Sequence, residues 1–247
     1  MSSVVWDRIR ARPWLDEPPV DIGATVTMLH SEELRMLRWL VREHYTGAGH
    51  IMDLGCFLGG STVALAQGLQ ASGKPGWIET FDLFQAEDYA GELYGGDQFR
   101  AGDRVRHIFD RNVAPYSRLV RVTDGDFLTA PLPDGPIEIL FVDLAKWHTL
   151  NDRIVEELFP RLIPGRSVVI QQDYVWSCCA WIHVAMEKLK SSFSYLCHVE
   201  SASVLFGLDR PISREEASAA KWSVMAPGER DAYSRPRSRP GAARSGP

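Results

Sequence analysis

Residues 51–62 read Ile-Met-Asp-Leu-Gly-Cys-Phe-Leu-Gly-Gly-Ser-Thr, an apolar strand that turns through glycines and enters a helix. Glycine accepts positive φ and lets a ligand approach the main chain closely. The unpaired N–H groups at a helix start attract an anionic group. The stretch therefore predicts a nucleotide-cofactor loop. It lacks the Gly-Lys-Ser/Thr ending of a phosphate loop and the Gly-x-Gly-x-x-Gly of a dinucleotide site, so a nicotinamide enzyme is the least favoured interpretation.

Composition limits the class of protein. The chain has 247 residues, of which 45% are hydrophobic and 24% charged, and this suits one α/β domain with a full core. The net charge of −5 and the pI near 5.8 give no general attraction to nucleic acid or to an anionic membrane. We expect neither as a partner.

The cysteines and the N-terminus predict a cytoplasmic protein. Four cysteines, at positions 56, 178, 179 and 197, show no C-x-x-C spacing, and a reducing cytosol fits them best. Asp7, Arg8 and Arg10 stand where a signal peptide needs an apolar core. No apolar run approaches the ~20 residues of a membrane span.

Strand and helix patterns alternate along the chain. Strands are predicted at 51–54, 77–81, 119–123, 137–142 and 167–171, and helices at 31–41, 61–70, 150–162 and 178–190. This alternation predicts a doubly wound, mostly parallel sheet with helices on both faces. Two further strands, 193–199 and 204–208, have only a short connection and must pair antiparallel, as an edge hairpin.

Three regions follow from these patterns. Residues 1–30, with two tryptophans and a Pro-Pro pair, predict an irregular N-terminal lid or dimer arm whose tryptophans pack on something. Residues 31–212 form the main domain. Residues 213–247 predict a surface helix followed, from Pro227, by a disordered tail. The aromatic arm favours a homodimer.

In open α/β sheets, ligands bind beyond the carboxyl ends of the strands. Asp82 ends the second strand, where an acidic group accepts hydrogen bonds from both ribose hydroxyls of a nucleotide. Asp126 and Phe127 follow the third strand and offer a carboxylate for an adenine amino group and an aromatic face for its ring.

Four stretches resemble the macrocin O-methyltransferase and cephalosporin-hydroxylase-like group of class I methyltransferases, which includes sugar O-methyltransferases; they are residues 51–62, 79–84, 139–148 and 162–174. The resemblance implies a Rossmann-like sheet of seven strands and S-adenosylmethionine as cofactor. It also implies a set of residues that line the cofactor, namely Gly55, Phe57, Gly59, Ser61, Thr62, Asp82, Asp126 and Phe127. The strand-end carboxylates Asp53 and Asp143 complete the predicted cofactor site.

The resemblance leaves a divalent ion open. Metal-dependent relatives carry carboxylates after the fourth and fifth strands, in patterns similar to Asp-Gly-Asp and Asp-Asp-Tyr. Here the matching stretches are Asp-Leu-Ala at 143–145 and Gln-Asp-Tyr at 172–174. Asp143, Gln172 and Asp173 could hold Mg²⁺ together with waters. The alternative is that Asp143 and Asp173 orient loops or the sulfonium end of the cofactor.

The acceptor side has candidates of its own. An alcohol acceptor must lose a proton to a base. Because Ala145 stands where a carboxylate base would be, His148 becomes the candidate base, with Asp143 beside the acceptor. Trp147, Tyr174 and Trp176 are candidates for stacking on the acceptor, although core or dimer packing explains them equally well.

These features predict an S-adenosylmethionine-dependent O-methyltransferase whose acceptor is a hydroxyl of a saccharide or glycosylated metabolite. A catechol-type or nitrogen acceptor is an alternative. A non-catalytic scaffold that binds S-adenosylmethionine is another, because Ala145 and Gln172 replace acidic positions. A hydroxylase would need iron ligands, and the sequence has no clear His-x-Asp…His set.

Overall fold

A mixed sheet of seven strands organises the computed structural model, which describes residues 2–200 and 202–234. The strands are β1 (His50–Leu54), β2 (Ile78–Asp82), β3 (Val120–Asp124), β4 (Ile137–Val142), β5 (Val168–Gln171), β6 (Phe193–His198) and β7 (Val204–Leu208). Their spatial order is β3-β2-β1-β4-β5-β7-β6. The first five pair in parallel, and β7 pairs antiparallel with β5 and β6. The predicted fold class and edge hairpin are confirmed.

Helices cover both faces of this sheet. They are α1 (Ser2–Arg10), α2 (Ser31–Trp39), α3 (Gly60–Ser72), α4 (Asp88–Tyr94), α5 (Arg106–Val113), α6 (His148–Arg153), α7 (Ala180–Lys188), α8 (Arg214–Ala220) and α9 (Pro227–Ser234). All six residues of β4 are buried. A continuous apolar run is what a parallel strand needs when both of its faces are covered.

The strand order sets the position of the site. The chain passes from β1 outward through β2 to β3, and then returns to β4 on the other side of β1. The order therefore reverses between β1 and β4, and ligands of open α/β sheets bind at such a reversal, outside the carboxyl ends of the strands. Asp143 N donates to Leu54 O at 2.8 Å, so the two strand ends meet there.

The N-terminal region is more regular than the sequence predicts. An irregular arm is wrong for Ser2–Arg10, which form α1. Trp6 and Ile9, three residues apart on one helical face, are each 1% exposed. The Trp6 ring packs on Gly207, where an added Cβ would lie only 2.7 Å from the indole. Trp14 is also buried, and its Nε1 donates to Glu32 at 3.0 Å.

Two other predicted boundaries need correction. The helix predicted at 150–162 begins at His148 and loses α geometry after Arg153, continuing as a π turn and a short 3₁₀ turn. Pro160 lacks the N–H that a continuing helix needs. The predicted tail starts too early, because Pro227–Ser234 are helical: Pro227 suits a first helical position, and Glu229 accepts from Ala226 N. The rest of that predicted tail lies outside the described residues.

Candidate active site

The glycine loop follows β1 as predicted and touches the end of β4. Gly55 has φ of 92°, and a Cβ on it would lie 2.7 Å from the Asp143 carbonyl oxygen. Gly59, with φ of 97°, directly precedes α3. A Cβ on Gly60 would lie 2.5 Å from Thr27 Oγ1. Gly55 and Gly60 are therefore positions of close approach, at which only glycine fits without displacing a neighbour.

Asp53 is buried beneath this loop. Its Oδ2 accepts from Ser61 Oγ at 3.0 Å and from Thr62 Oγ1 at 2.6 Å, whereas its Oδ1 is buried and has no partner among the described residues. Burial raises the pKa of Asp53 to about 7, although the two hydroxyls act in the opposite direction. The side chains of Ser61 and Thr62 thus orient Asp53, and one buried carboxylate oxygen keeps its acceptor capacity.

Asp82 holds two strained turns at the end of β2. Its Oδ2 accepts from Phe57 N at 2.7 Å and its Oδ1 from Phe84 N at 2.6 Å. Both phenylalanines have left-handed backbones, with φ of 45° and 50°. Burial raises the pKa of Asp82, against the two backbone hydrogen bonds. Each carboxylate oxygen keeps a second lone pair for a further donor.

The residues after β3 divide into one exposed and one buried position. Asp126 is exposed, and its Oδ1 accepts from Leu128 N at 2.9 Å. Phe127 is 5% exposed and packs edge-to-face on Phe81, with the Arg153 guanidinium over its ring. Asp126 is therefore accessible to a ligand, whereas Phe127 contributes to the core.

A lysine joins the carboxylates that follow β4 and β5. Lys146 Nζ lies 2.7 Å from Asp143 Oδ1 and 2.5 Å from Asp173 Oδ2. Burial acts against the charge of Lys146, but the two carboxylates outweigh it and raise the pKa of Lys146 above its ordinary value. Sequence reasoning missed this contact, although the Asp-Leu-Ala-Lys spacing after a strand was its visible signal.

The Gln172 amide also faces these carboxylates. Its hydrogen-bond surroundings orient the nitrogen inward, and Nε2 then lies 2.8 Å from Asp173 Oδ1 and 3.1 Å from Asp143 Oδ1. The predicted metal site at Asp143, Gln172 and Asp173 thus differs from the arrangement observed, since the Lys146 ammonium lies between Asp143 and Asp173. Within the described part of the chain, no group of three His, Cys, Asp or Glu side chains is placed to hold a metal ion.

His148 begins α6 next to this cluster in the chain. Its ring packs edge-to-face on Trp181, with centroids 6.3 Å apart, and its Nδ1 is buried without a hydrogen-bond partner among the described residues. The Trp181 indole donates to Ala145 O at 2.7 Å, which ties α7 to the turn that carries Lys146. His148 is thus held beside the strand end where the sequence predicts a base.

The three predicted acceptor residues have different surroundings. Trp147 and Trp176 are 67% and 57% exposed and follow the adjacent strands β4 and β5. Tyr174 instead packs between His183 and Phe206, at centroid distances of 4.7 and 5.2 Å. Tyr89 of α4 is 43% exposed. Burial and Glu87 raise the pKa of Tyr89 to about 12, and the nearby charges of Lys146 and Asp143 also act on its hydroxyl.

Residues 26–29 form the outer wall of the loop. A crevice of about 20 Å³ separates them from the glycine loop and Asp143. No periodic pattern in the sequence indicated this contact. A cavity of about 830 Å³ lies elsewhere, beside Pro136 and Arg161. Because Pro136 precedes β4, this cavity is at the amino end of that strand, opposite the edge at which such sheets bind cofactors.

Comparison with known proteins agrees with this geometry. A family model described as a methyltransferase domain matches residues 52–174. Among solved structures, the O-methyltransferase NovP is 18% identical, with a TM-score of 0.61 over 85% of this chain and 100% of that one. The S-adenosylhomocysteine-bound methyltransferase PaMTH1 of Podospora anserina is 14% identical, with a TM-score of 0.53 over 85% and 97%. Cofactor-bound Rv0187 from MTB is 15% identical, with a TM-score of 0.54 over 85% and 88%.

A search of curated proteins gave no match. Among the described residues, no helix has the length and apolar character needed to cross a membrane.

The residues at the switch point fit S-adenosylmethionine. Asp53 Oδ1 is an acceptor that has no partner among the described residues, Asp82 keeps lone pairs for further donors, and Gly55 lets the main chain of the loop approach a neighbour closely. The family match runs from β1 to β5 and so includes every strand whose end contributes to the site. Residues 52–174 therefore form a methyltransferase domain, and the fold and the residues at the switch point agree with S-adenosylmethionine, the methyl donor of class I methyltransferases.

Proposed function

We propose that the protein is an O-methyltransferase that acts on a hydroxyl of a saccharide or glycosylated metabolite. The observation that carries the proposal is the contact between the glycine loop and the turn at Asp143, which puts the cofactor loop next to the polar cluster after β4 and β5. Cofactor and acceptor then meet at one edge of the sheet. The O-methyltransferase NovP shares the fold at 18% identity.

Each of the proposed cofactor residues would contact or support a different part of S-adenosylmethionine. Bound S-adenosylmethionine supplies a methyl group activated by the sulfonium. Asp53 would accept from its ammonium, Asp82 from its ribose hydroxyls and Asp126 from its adenine, while Gly55, Phe57 and Gly59 form the loop against it. Ser61 and Thr62 support Asp53. Phe127 supports the adenine side through its packing on Phe81.

The acceptor would lie among the aromatic groups beyond β4 and β5. Trp147 and Trp176 expose large rings to solvent, and an exposed aromatic face suits stacking on the apolar face of a sugar ring or on an aromatic acceptor. Tyr89 of α4 adds a hydroxyl near Lys146 and Asp143. Tyr174, packed against Phe206, is better explained as the support of this region than as a contact to the acceptor.

His148 remains the proposed base. Methyl transfer to an alcohol requires that the hydroxyl proton leave, and a neutral imidazole nitrogen can accept it. Asp143 would orient the acceptor from the end of β4. The Mg²⁺ that the sequence left open is not part of the proposal, because Lys146 already bridges Asp143 and Asp173.

The cellular setting remains as the sequence predicts it. We infer a small-molecule acceptor rather than nucleic acid, given the net charge of −5. The four cysteines are free, which suits a reducing cytoplasm. The homodimer stays a prediction. Within the N-terminal region, we assign the lid role to residues 26–29, because they line a crevice against the glycine loop. This crevice, at about 20 Å³, has space for about one water.

Calorimetric titration with S-adenosylhomocysteine tests the proposal. We expect micromolar binding both in Mg²⁺ and in chelator, because all of the proposed contacts to the cofactor come from protein atoms and none from a metal ion. Hydrogen exchange in residues 26–29 should slow on binding. An acceptor panel of sugars, glycosides, catechols and amines then identifies the acceptor class. Absence of binding in both conditions would overturn the methyltransferase proposal, and binding without transfer to any acceptor would favour a scaffold.

Replacing His148 with alanine should lower turnover about 100-fold, the usual scale for a lost general base. Cofactor affinity should stay within about twofold, because His148 contacts Trp181 rather than the glycine loop. The measurement is kcat together with calorimetric S-adenosylhomocysteine affinity. His107→Ala is the matched control, since His107 is exposed on α5. Wild-type turnover in His148→Ala would reject His148 as the base.

A further inference from the structure

Lys146 lies where the sequence resemblance leaves a divalent ion open. Metal-dependent relatives carry ligands after the strands that correspond to β4 and β5, where this chain has Asp143 and Asp173, and the Lys146 ammonium approaches one oxygen of each, at 2.7 and 2.5 Å. Asp173 is only 3% exposed and Asp143 is 18% exposed. A lysine that joins two carboxylates this deep is a built contact, unlike the mobile ion pairs of a protein surface.

The donor set around the two carboxylates does not fit a divalent cation. Mg²⁺ requires oxygen ligands at about 2.0–2.1 Å in octahedral geometry. Here the ammonium of Lys146 and the amide nitrogen of Gln172 both point at Asp143 and Asp173. A metal ion bound to the same oxygens would either displace the Lys146 ammonium or be repelled by its positive charge.

We infer that Lys146 is the resident cation of this site and replaces a divalent metal ion between Asp143 and Asp173. An ammonium has three N–H donors, and Lys146 uses two on these carboxylates. The third is left for the oxygen of an acceptor, where it would perform the charge stabilisation that a metal performs elsewhere. This last step rests on the proposed O-methyltransferase function, whereas the replacement of the metal does not.

Manganese binding tests the inference without any assay of activity. Full-length wild type, Lys146→Ala and Lys146→Gln would be titrated with Mn²⁺ and followed by the loss of the free-ion signal in electron paramagnetic resonance. We expect no saturable binding to wild type up to millimolar Mn²⁺. Removal of the ammonium should tighten binding at least about tenfold, because the two carboxylates become available as hard ligands.

Three controls make the outcome decisive. Lys188→Ala removes a lysine whose Nζ donates to Ala219 O, and it should leave Mn²⁺ binding as in wild type. Asp173→Asn in the Lys146→Ala background should abolish the gained binding. Circular dichroism and S-adenosylhomocysteine titration show whether each variant is folded, and Lys146→Gln keeps side-chain bulk if the alanine variant is unstable.

Two results would overturn the inference. One is saturable Mn²⁺ binding by wild type that Asp143→Asn removes. The other is the absence of any gain in both Lys146 variants while they remain folded. Neither result bears on cofactor binding, so a protein that binds S-adenosylhomocysteine yet fails this test keeps the proposed function and loses only the metal replacement. Turnover that is unchanged by chelator in wild type would agree with the inference.

Discussion

Replacing Gly55 with alanine should weaken S-adenosylhomocysteine binding about 100-fold or more and destabilise the fold by about 2–4 kcal/mol. The added Cβ would lie 2.7 Å from the Asp143 carbonyl oxygen and 2.8 Å from its carbon, and both are backbone atoms that cannot rotate away. The φ of 92° adds strain, since left-handed backbone alone costs a residue with a Cβ about 1–2 kcal/mol. The glycine loop would have to move away from β4, and with it the surface that faces the cofactor.

Calorimetry and urea unfolding measure the two effects. Gly73→Ala is the matched control at the other end of α3, because Gly73 also has positive φ, 63°, but an added Cβ there meets nothing within 4 Å. It should cost about 1 kcal/mol of stability and leave cofactor affinity unchanged. Wild-type affinity in a folded Gly55→Ala protein would show that the loop does not hold the cofactor.

Replacing Asp82 with asparagine should weaken S-adenosylhomocysteine binding about 100-fold. Hydrogen bonds to a charged group contribute about 1.5–3 kcal/mol each, and the ribose would lose a charged acceptor. An amide nitrogen would also face Phe57 N or Phe84 N, so one of the two left-handed turns at the loop would lose its acceptor. The asparagine keeps the shape of the side chain, which separates this effect from a change in packing.

The measurement is again the calorimetric dissociation constant. Asp110→Asn on α5 serves as the control, because Asp110 is 54% exposed and pairs with Arg106 four residues away on the same helix. It should leave affinity within about twofold, as exposed ion pairs contribute little. If Asp82→Asn bound S-adenosylhomocysteine as tightly as wild type, Asp82 would not be the ribose acceptor, and its role would be limited to the two turns.

The edge of the sheet beyond β4 and β5, where we propose that the acceptor binds, is called the acceptor edge below. It combines a polar cluster with exposed aromatic rings. The Lys146 cluster is hydrogen-bonded to a buried Asp173 and a largely buried Asp143, which suits fixed electrostatics near a reacting oxygen. Trp147 and Trp176 are exposed instead, and such rings suit recognition of the acceptor's body. Variants in the first group should change turnover, and variants in the second should change which acceptors are used.

The sequence by itself determined the sheet and the location of the glycine loop. Alternating apolar strands and amphipathic helices specify a parallel sheet because each pattern has one way to bury its apolar residues. Gly55, Gly59 and Asp82 were predictable because turns of positive φ and strand ends leave a local signature. The helix at Ser2–Arg10 was missed because its apolar face is short. Trp6 and Ile9 on that face pack against strand residues that lie far away in the sequence.

Tertiary structure alone decided which side chains meet. Lys146 and Asp173 are 27 residues apart, and only the pairing of β4 with β5 brings them into contact. Tertiary structure also brings Thr27 against Gly60 and turns the Gln172 amide toward Asp143. Local sequence patterns report backbone conformation and burial, whereas the partners of a polar side chain depend on strand order and register. For that reason the sequence predicted carboxylates at the acceptor edge, and the fold supplied the cation between them.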